Sequence, residues 1–219
     1  MIFYECGGGA EEKPLSFRLS ASNGTNGVFF NGRYWGGMTS KDQAFVPVKK
    51  DSTNIIYSAT ATRVIHVKFY VDYLGSSARD ICGVRYGGSY WACMPYLYLH
   101  SPSSTSFIKA GFSSSGTSDS KALVISKSDI PLTTGVWYDV EIGWDKNTKE
   151  IYLEVSDDAG HYKKITDTLN SLYDYSTSYD YSVGMMNRND SYCYGITFDL
   201  YNTYYEEDHS RILWGIKGG

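Results

Sequence analysis

The sequence predicts an all-β fold in which two antiparallel sheets pack face to face as a sandwich. Three observations carry that prediction. The 219 residues include 21 Tyr but only 5 Pro, together with many Gly, Ser and Thr; Tyr and Thr favour pleated, half-buried surfaces. Several segments alternate apolar and polar residues with period two, the signature of a strand wet on one side. Turn residues recur between these segments, and no helical window of useful length and no internal repeat interrupts them.

The alternation is clearest in TRVIHVKFYVDYL, where Ile65, Val67, Phe69, Val71 and Tyr73 share one face and His66, Lys68, Tyr70 and Asp72 the other. Before it, residues 15–60 hold short apolar pieces such as VFFNGRYWGG and AFVPV. Asn31-Gly32 is a strong hairpin signal between FF and RYW. After it, CGVRYGGSYWAC reads as a hairpin turning at Gly87-Gly88, which places Cys82 opposite Cys93. In that register the two Cα atoms lie about 5.5 Å apart, within reach of a disulfide. Reduced, buried thiols are the expected state, since no secretory signal opens the chain. The other cysteines, Cys6 and Cys193, make no metal-ligand spacing with these.

MPYLYLHS, SSTSFIKAGF and KALVISKSDI continue the strands, and Pro131 to Gly135 is a turn. In WYDVEIGWDKNTKEIYLEVSDD, Tyr138, Val140, Ile142 and Trp144 face in, as do Ile151, Leu153 and Val155. Trp137, Asp139, Glu141, Gly143, Glu150, Tyr152 and Glu154 face out. Asp145 to Lys149 has the chemistry of a hairpin loop, and Ser156 to Gly160 turns the chain again into HYKKI. A sheet solvated on one side demands this strict alternation of acids with buried apolar groups. A Tyr-rich linker, YSVGMM, a polar loop at 187–191, the long strand YCYGITFDLYNTYYEE and a closing RILWGI complete the chain.

Residues 15–219 are therefore expected to form one domain, and residues 1–14, with Gly7-Gly8-Gly9, a flexible leader or attachment segment. The net charge of −4 comes with no basic block, which excludes a nucleic-acid footprint. MIFYECGGGAEEK lacks a basic n-region followed by an apolar h-region, and no run approaches a membrane span.

The order GVWYDVEIGWD, turn, KEIYLEVSDDAGHYKKI, linker, YSVGMM, loop, GITFDLYNTYY resembles the laminin-G-like, concanavalin A-like lectin jelly roll over roughly residues 60–214. The ending FDLYNTYYEEDHSRILWGI is similar to the close of lectin-like domains in bacteriophage virion structural proteins, departing at EEDHSR, where those relatives turn more tightly. The resemblance implies a non-enzymatic virion component, made in the host cytoplasm, that meets virion proteins and host cell-surface glycan, with homo-oligomers common in such assemblies. A carbohydrate-binding module of a secreted glycoside hydrolase is the alternative, and a glucanase a more distant one.

Glucanases of this sandwich class use an E-x-D-x-(x)-E strand. Here Asp139 and Glu141 have the i, i+2 spacing of about 6.6 Å along a strand, against about 5–5.5 Å for a retaining pair. Gly143 stands where the third acid belongs, and Glu150 and Glu154 lie too far apart. No catalytic residue is assigned: the carboxylates read as a solvated face, the four histidines are scattered, and there is no G-x-S-x-G elbow or phosphate loop. Lectins of this fold often carry a rim calcium; Asp157, Asp158 and Asp190 are the candidates, but they lack EF-hand order and suit turns, so no cofactor or metal is assigned. The expected ligand-binding residues are tyrosines, whose rings offer flat faces with a polar handle: Tyr86 and Tyr90 beside the Gly87-Gly88 turn, and Tyr173, Tyr175 and Tyr179 (with Tyr181) in the linker.

Overall fold

The computed structural model describes residues 29–31, 34–36, 45–47, 61–83, 95–114, 120–172, 182–183, 190–192 and 195–216. Every regular element among them is a strand: β1 (Phe29–Asn31), β2 (Tyr34–Gly36), β3 (Phe45–Pro47), β4 (Arg63–Val71), β5 (Arg79–Gly83), β6 (Tyr96–Leu99), β7 (Ser106–Phe112), β8 (Lys121–Ser126), β9 (Trp137–Trp144), β10 (Glu150–Asp157), β11 (Tyr162–Thr168), β12 (Ser182–Val183), β13 (Asp190–Tyr192), β14 (Ile196–Glu207) and β15 (Ser210–Ile216).

The first sheet runs β11-β10-β9-β4-β14, and the second β3-β12-β5-β6-β7-β8. β15 joins them: its start pairs with the end of β14 through Tyr204↔Leu213 to Glu207↔Ser210, and its end pairs with β3 through Trp214↔Pro47 to Ile216↔Phe45. At the opposite margin β8 and β11 face each other without a shared ladder. Side chains bridge them, Lys121 Nζ to Asp167 Oδ2 at 2.7 Å and Lys163 Nζ to Asp129 Oδ1 at 3.3 Å. The chain is thus an all-β antiparallel sandwich of the jelly-roll kind, with one margin closed by hydrogen bonds and the other by ion pairs.

The period-two reading holds along β4, along β10 as far as Ser156, and along β9 up to Gly143, which is buried, while β5 is buried at every position. Along β4 buried and half-buried residues alternate from Arg63 to Val71 without a break. Ile65, Val67 and Phe69 meet Val140, Ile142, Leu153 and Phe198 on the inner face of the first sheet, opposite Leu97, Ile108, Ala110, Leu123 and Ile125 of the second. The rings of Phe107, Tyr138, Phe69 and Phe198 form a chain through this core at centroid separations of 5.1, 5.5 and 6.4 Å.

Turn chemistry sets the registers. In the β9–β10 loop, Asp145 Oδ1 accepts from the N–H groups of Asn147 and Thr148 at 2.7 and 2.9 Å, and Lys149 takes φ +62°. These bonds pull the Asp145 carboxyl below its usual range. The β14–β15 hairpin turns on Asp208 and His209, both at positive φ (47° and 66°), a two-residue geometry of the I′ kind that Asp tolerates. The EEDHSR segment therefore makes a tight turn and not the looser one its sequence suggests. The Pro131–Gly135 turn is pinned by Tyr138, whose hydroxyl donates to the Pro131 carbonyl (2.7 Å) and accepts from Thr133 N–H (2.8 Å).

Two expected pairings are corrected. Asn31-Gly32 does not join a β1–β2 hairpin: β1 pairs with β14 and β2 with β13. β15 covers only the second half of β14, so the first half has an open edge, and β1 fills it. Likewise Cys82 does not stand opposite Cys93. Its partners across the ladders are Leu97 on β6 and Val183 on β12, because β5 pairs with β6 through a connection longer than a two-residue turn. Cys82 is buried; Cys93 and the Gly87-Gly88 turn lie outside the described residues.

Two glycines shape the outer faces. Tyr96 stands directly across from Gly111, and Tyr152 directly across from Gly143. A Cβ at Gly111 would lie 2.1 Å from Tyr96 Cε1, and one at Gly143 2.3 Å from Tyr152 Cε1. Each tyrosine ring lies flat over the bare backbone of its partner, an aromatic covering of a strand glycine.

Candidate functional site

The outer face of the first sheet is built from the outward residues of β14, β4, β9, β10 and β11. Register brings them into rows. One row reads Tyr204, His66, Glu141, Glu154, Lys164, and the next Lys68, Asp139, Ser156, Tyr162. Tyr70 and Trp137 pair at the β4–β9 margin with ring centroids 5.2 Å apart.

His66 is the centre of this face. β14 bulges between Asp199 and Tyr204, where four of its residues (200–203) lie opposite one of β4, Val67. Asp199 holds the bulge, its Oδ2 accepting from Asn202 Nδ2 at 2.6 Å, and Asn202 thereby presents its carbonyl to His66 Nδ1 at 2.5 Å. His66 Nε2 contacts the Asp139 carboxylate. A neutral imidazole has one donor and one acceptor nitrogen, yet both nitrogens here face acceptors, so the imidazolium alone satisfies both bonds. Burial pushes the His66 pKa down, but the bond to and charge of Asp139, the Asn202 carbonyl and Glu141 outweigh it, and the net displacement is upward. The Tyr204 ring stacks on the imidazole, centroids 4.7 Å apart and planes 16° from parallel, the geometry of a cation–π contact.

The acids of the face are held in turn. Gly143 leaves room for the flat Tyr152 ring, whose hydroxyl donates to Glu141 Oε1 at 2.6 Å. Burial, the bond to Glu141 and neighbouring carboxylates raise the Tyr152 pKa far above its ordinary value, so the phenol stays protonated and donating. Lys164 Nζ lies 4.3 Å from the Tyr152 ring centroid and 3.2 Å from Glu154 Oε2. Lys68 Nζ is 3.8 Å from Asp139 Oδ2.

Register also makes a pairing that no spacing along one strand reveals: Glu154 lies directly across from Glu141. Like charges at opposed positions repel. Here the two carboxylates turn to different partners, Glu141 to Tyr152 and Glu154 to Lys164. Asp139 and Glu141 face outward as expected, on an open sheet face with His66 and Tyr152 between them and their neighbours.

Of the other sequence candidates, Tyr86, Tyr90, Tyr173, Tyr175, Tyr179 and Tyr181 lie outside the described residues. The Asp157 carboxylate is occupied by its own turn: Oδ1 accepts from Ala159 and His161 N–H at 3.1 and 2.8 Å, and Oδ2 meets His161 Nδ1 at 2.7 Å. Asp158 is exposed, and the side chain of Asp190 is outside the described set. Among the described residues, no group of three or more His, Cys, Asp or Glu is placed to hold a metal ion. Sequence reasoning missed His66, Tyr152 and Tyr204 as site residues. Their outward parity was visible, but their convergence depends on the β14 bulge and the β9–β10 register.

No protein-family model and no curated protein sequence matches the chain. Solved structures do. A family 7 alginate lyase, A1-II', crystallised with a substrate written GGMG, superposes with a TM-score of 0.51 at 14% identity, covering 89% of this chain and 82% of that one. The enzymatically active domain of tailspike protein 2 from bacteriophage CBA120 gives 0.49 at 14% identity. A carbohydrate-binding module, CBM2, of the Dit protein from Lactobacillus casei BL23 phage J-1 gives 0.44 at 12% identity, over 88% of this chain and 80% of that one. The two tailspike matches cover 80% of this chain but only 29% and 25% of the tailspike chains. At these identities the likeness is one of architecture: the chain has the lectin-like, jelly-roll β-sandwich fold.

Proposed function

We propose that this chain is a non-enzymatic, lectin-like structural protein of a phage particle that binds host-surface glycan through the outer face of its first sheet. The observation that carries the reading is the composition of that face. Tyr70, Trp137, Tyr162 and Tyr204 place aromatic rings among fixed hydrogen-bonding groups, and Tyr162 is 60% exposed. Sugar rings stack on such surfaces while hydroxyls reach the polar groups between them. The virion setting rests on the likeness of the closing strands to phage lectin-like domains.

The non-enzymatic part rests on the state of the acids. Asp139 contacts His66 Nε2 and Glu141 accepts from the Tyr152 hydroxyl, so both carboxyl groups are engaged by side chains of the face itself.

A broad glycan array and a host-cell adsorption assay test the reading together. Binding in both is expected, weakened by Trp137→Ala and Tyr162→Ala with the unfolding free energy held within about 1 kcal/mol of the parent. Absence of binding in both assays overturns the glycan role. Release of reducing ends or unsaturated sugars from a polysaccharide, abolished by Glu141→Gln, overturns the non-enzymatic assignment.

A further inference from the structure

Among the residues whose side chains are described, every cation on the outer face of the first sheet stands beside a carboxylate of the same face. Lys164 is 3.2 Å from Glu154, Lys68 is 3.8 Å from Asp139, and His66 is bound to Asp139. Glu141, Glu150, Glu206 and, across from Lys68, Asp199 share the face with them, so three cationic side chains, His66, Lys68 and Lys164, meet six carboxylates, Asp139, Glu141, Glu150, Glu154, Asp199 and Glu206, among the residues whose side chains are described.

We infer that the saccharide recognised by this face carries no carboxylate, sulfate or phosphate. The inference rests on the glycan-binding reading above and narrows it to uncharged glycans. An anionic sugar needs a cation free to pair with it, and bidentate or charge-assisted bonds are the usual means. On this face such a ligand would have to displace a carboxylate already in place and then lie against the surplus negative charge. A neutral ring meets neither cost: it stacks on the aromatic rings and hydrogen-bonds to carboxylates as a donor. The aromatic groups and the intramolecular ion pairs therefore select the same ligand class.

Lys164 supplies the decisive variant. Glu154→Gln removes its partner and leaves the ammonium over the Tyr152 ring, available to an anionic ligand. The experiment scores the parent on a glycan array divided into neutral and acidic members, then measures the tightest neutral hit and a mannuronate–guluronate oligosaccharide by calorimetry on both proteins. For the parent, the bound members are expected to be neutral and the uronate oligomer to bind at least about tenfold more weakly. For Glu154→Gln, uronate affinity relative to that of the neutral glycan is expected to rise about fivefold, the equivalent of one exposed ion pair, and that gain is expected to fade at high salt. Binding dominated by sialylated, uronate or sulfated glycans overturns this inference and leaves the glycan-binding role standing. A Glu154→Gln variant with no gain for the uronate also overturns it. Binding to no glycan at all overturns both.

Discussion

Replacing Gly111 by alanine tests the packing logic of the outer faces, because two opposing effects predict opposite signs. Alanine in a strand is ordinarily the better residue by about 0.5–1 kcal/mol, since glycine loses more backbone freedom on folding. Against this, the new Cβ would sit 2.1 Å from Tyr96 Cε1, 2.3 Å from Cζ and 2.7 Å from the hydroxyl oxygen. Carbon atoms in contact need about 3.5–4.0 Å, so the ring must retreat by about 1.5 Å. Tyr96 is 0% exposed and has no solvent to retreat into. Overpacking of that kind costs about 1–3 kcal/mol, and the net expectation is a loss of about 1–2 kcal/mol. For a domain of this size that lowers the thermal midpoint by about 3–6 °C. Urea unfolding followed by tryptophan fluorescence measures it. In a Tyr96→Leu background the clash is relieved, and Gly111→Ala should become neutral or stabilising. At Gly143 the same geometry, 2.3 Å to Tyr152 Cε1, is expected to cost less, because Tyr152 is only half-buried and can swing outward. A Gly111→Ala protein as stable as its parent, with no coupling to Tyr96, would refute the argument that the bare backbone exists to seat the ring.

Other expectations concern the polar network. His66 has a raised folded pKa, so the stability it contributes is present below its unfolded value of about 6.5 and is lost as pH rises through the higher folded value. His100, pushed down by burial and by Lys109 and Lys127, acts with the opposite sign, so the comparison to make is parent against His66→Gln. The stability difference between them should shrink as pH rises from mildly acidic to alkaline in urea titrations; a pH-independent difference would remove the imidazolium from the account. Tyr152→Phe leaves Glu141 without its donor and should cost about 1–3 kcal/mol, read as a shift in denaturation midpoint at constant m-value. Tyr138→Phe should cost about 1–2 kcal/mol by freeing the Thr133 N–H and Pro131 carbonyl, and hydrogen exchange at Thr133 should rise. Phe69→Ala, in the centre of the ring chain of the core, should cost about 3–5 kcal/mol.

Local patterning along the chain is enough to give the strand class and the side that most strand residues take. Period-two alternation in 63–71, 137–144 and 150–157 states which side chains are buried, and burial follows it except at Gly143 and at Asp157 where β10 ends. Parity is a local property, fixed by the geometry of an extended chain, so it needs no knowledge of the partner strand. Partners are another matter. Asn31-Gly32 and Gly87-Gly88 are good turn dipeptides, yet β1 lies beside β14 and Cys82 beside Leu97, because a turn signal says only that the chain can reverse. Which edges are vacant decides the pairing, and vacancy is a property of the whole sheet. The site has the same character. Outward positions such as His66, Glu141, Tyr152, Glu154 and Tyr204 were legible one at a time. Only the three-dimensional register set Glu154 across from Glu141, only the β14 bulge turned the Asn202 carbonyl onto His66, and only then did one histidine acquire two acceptors and a raised pKa.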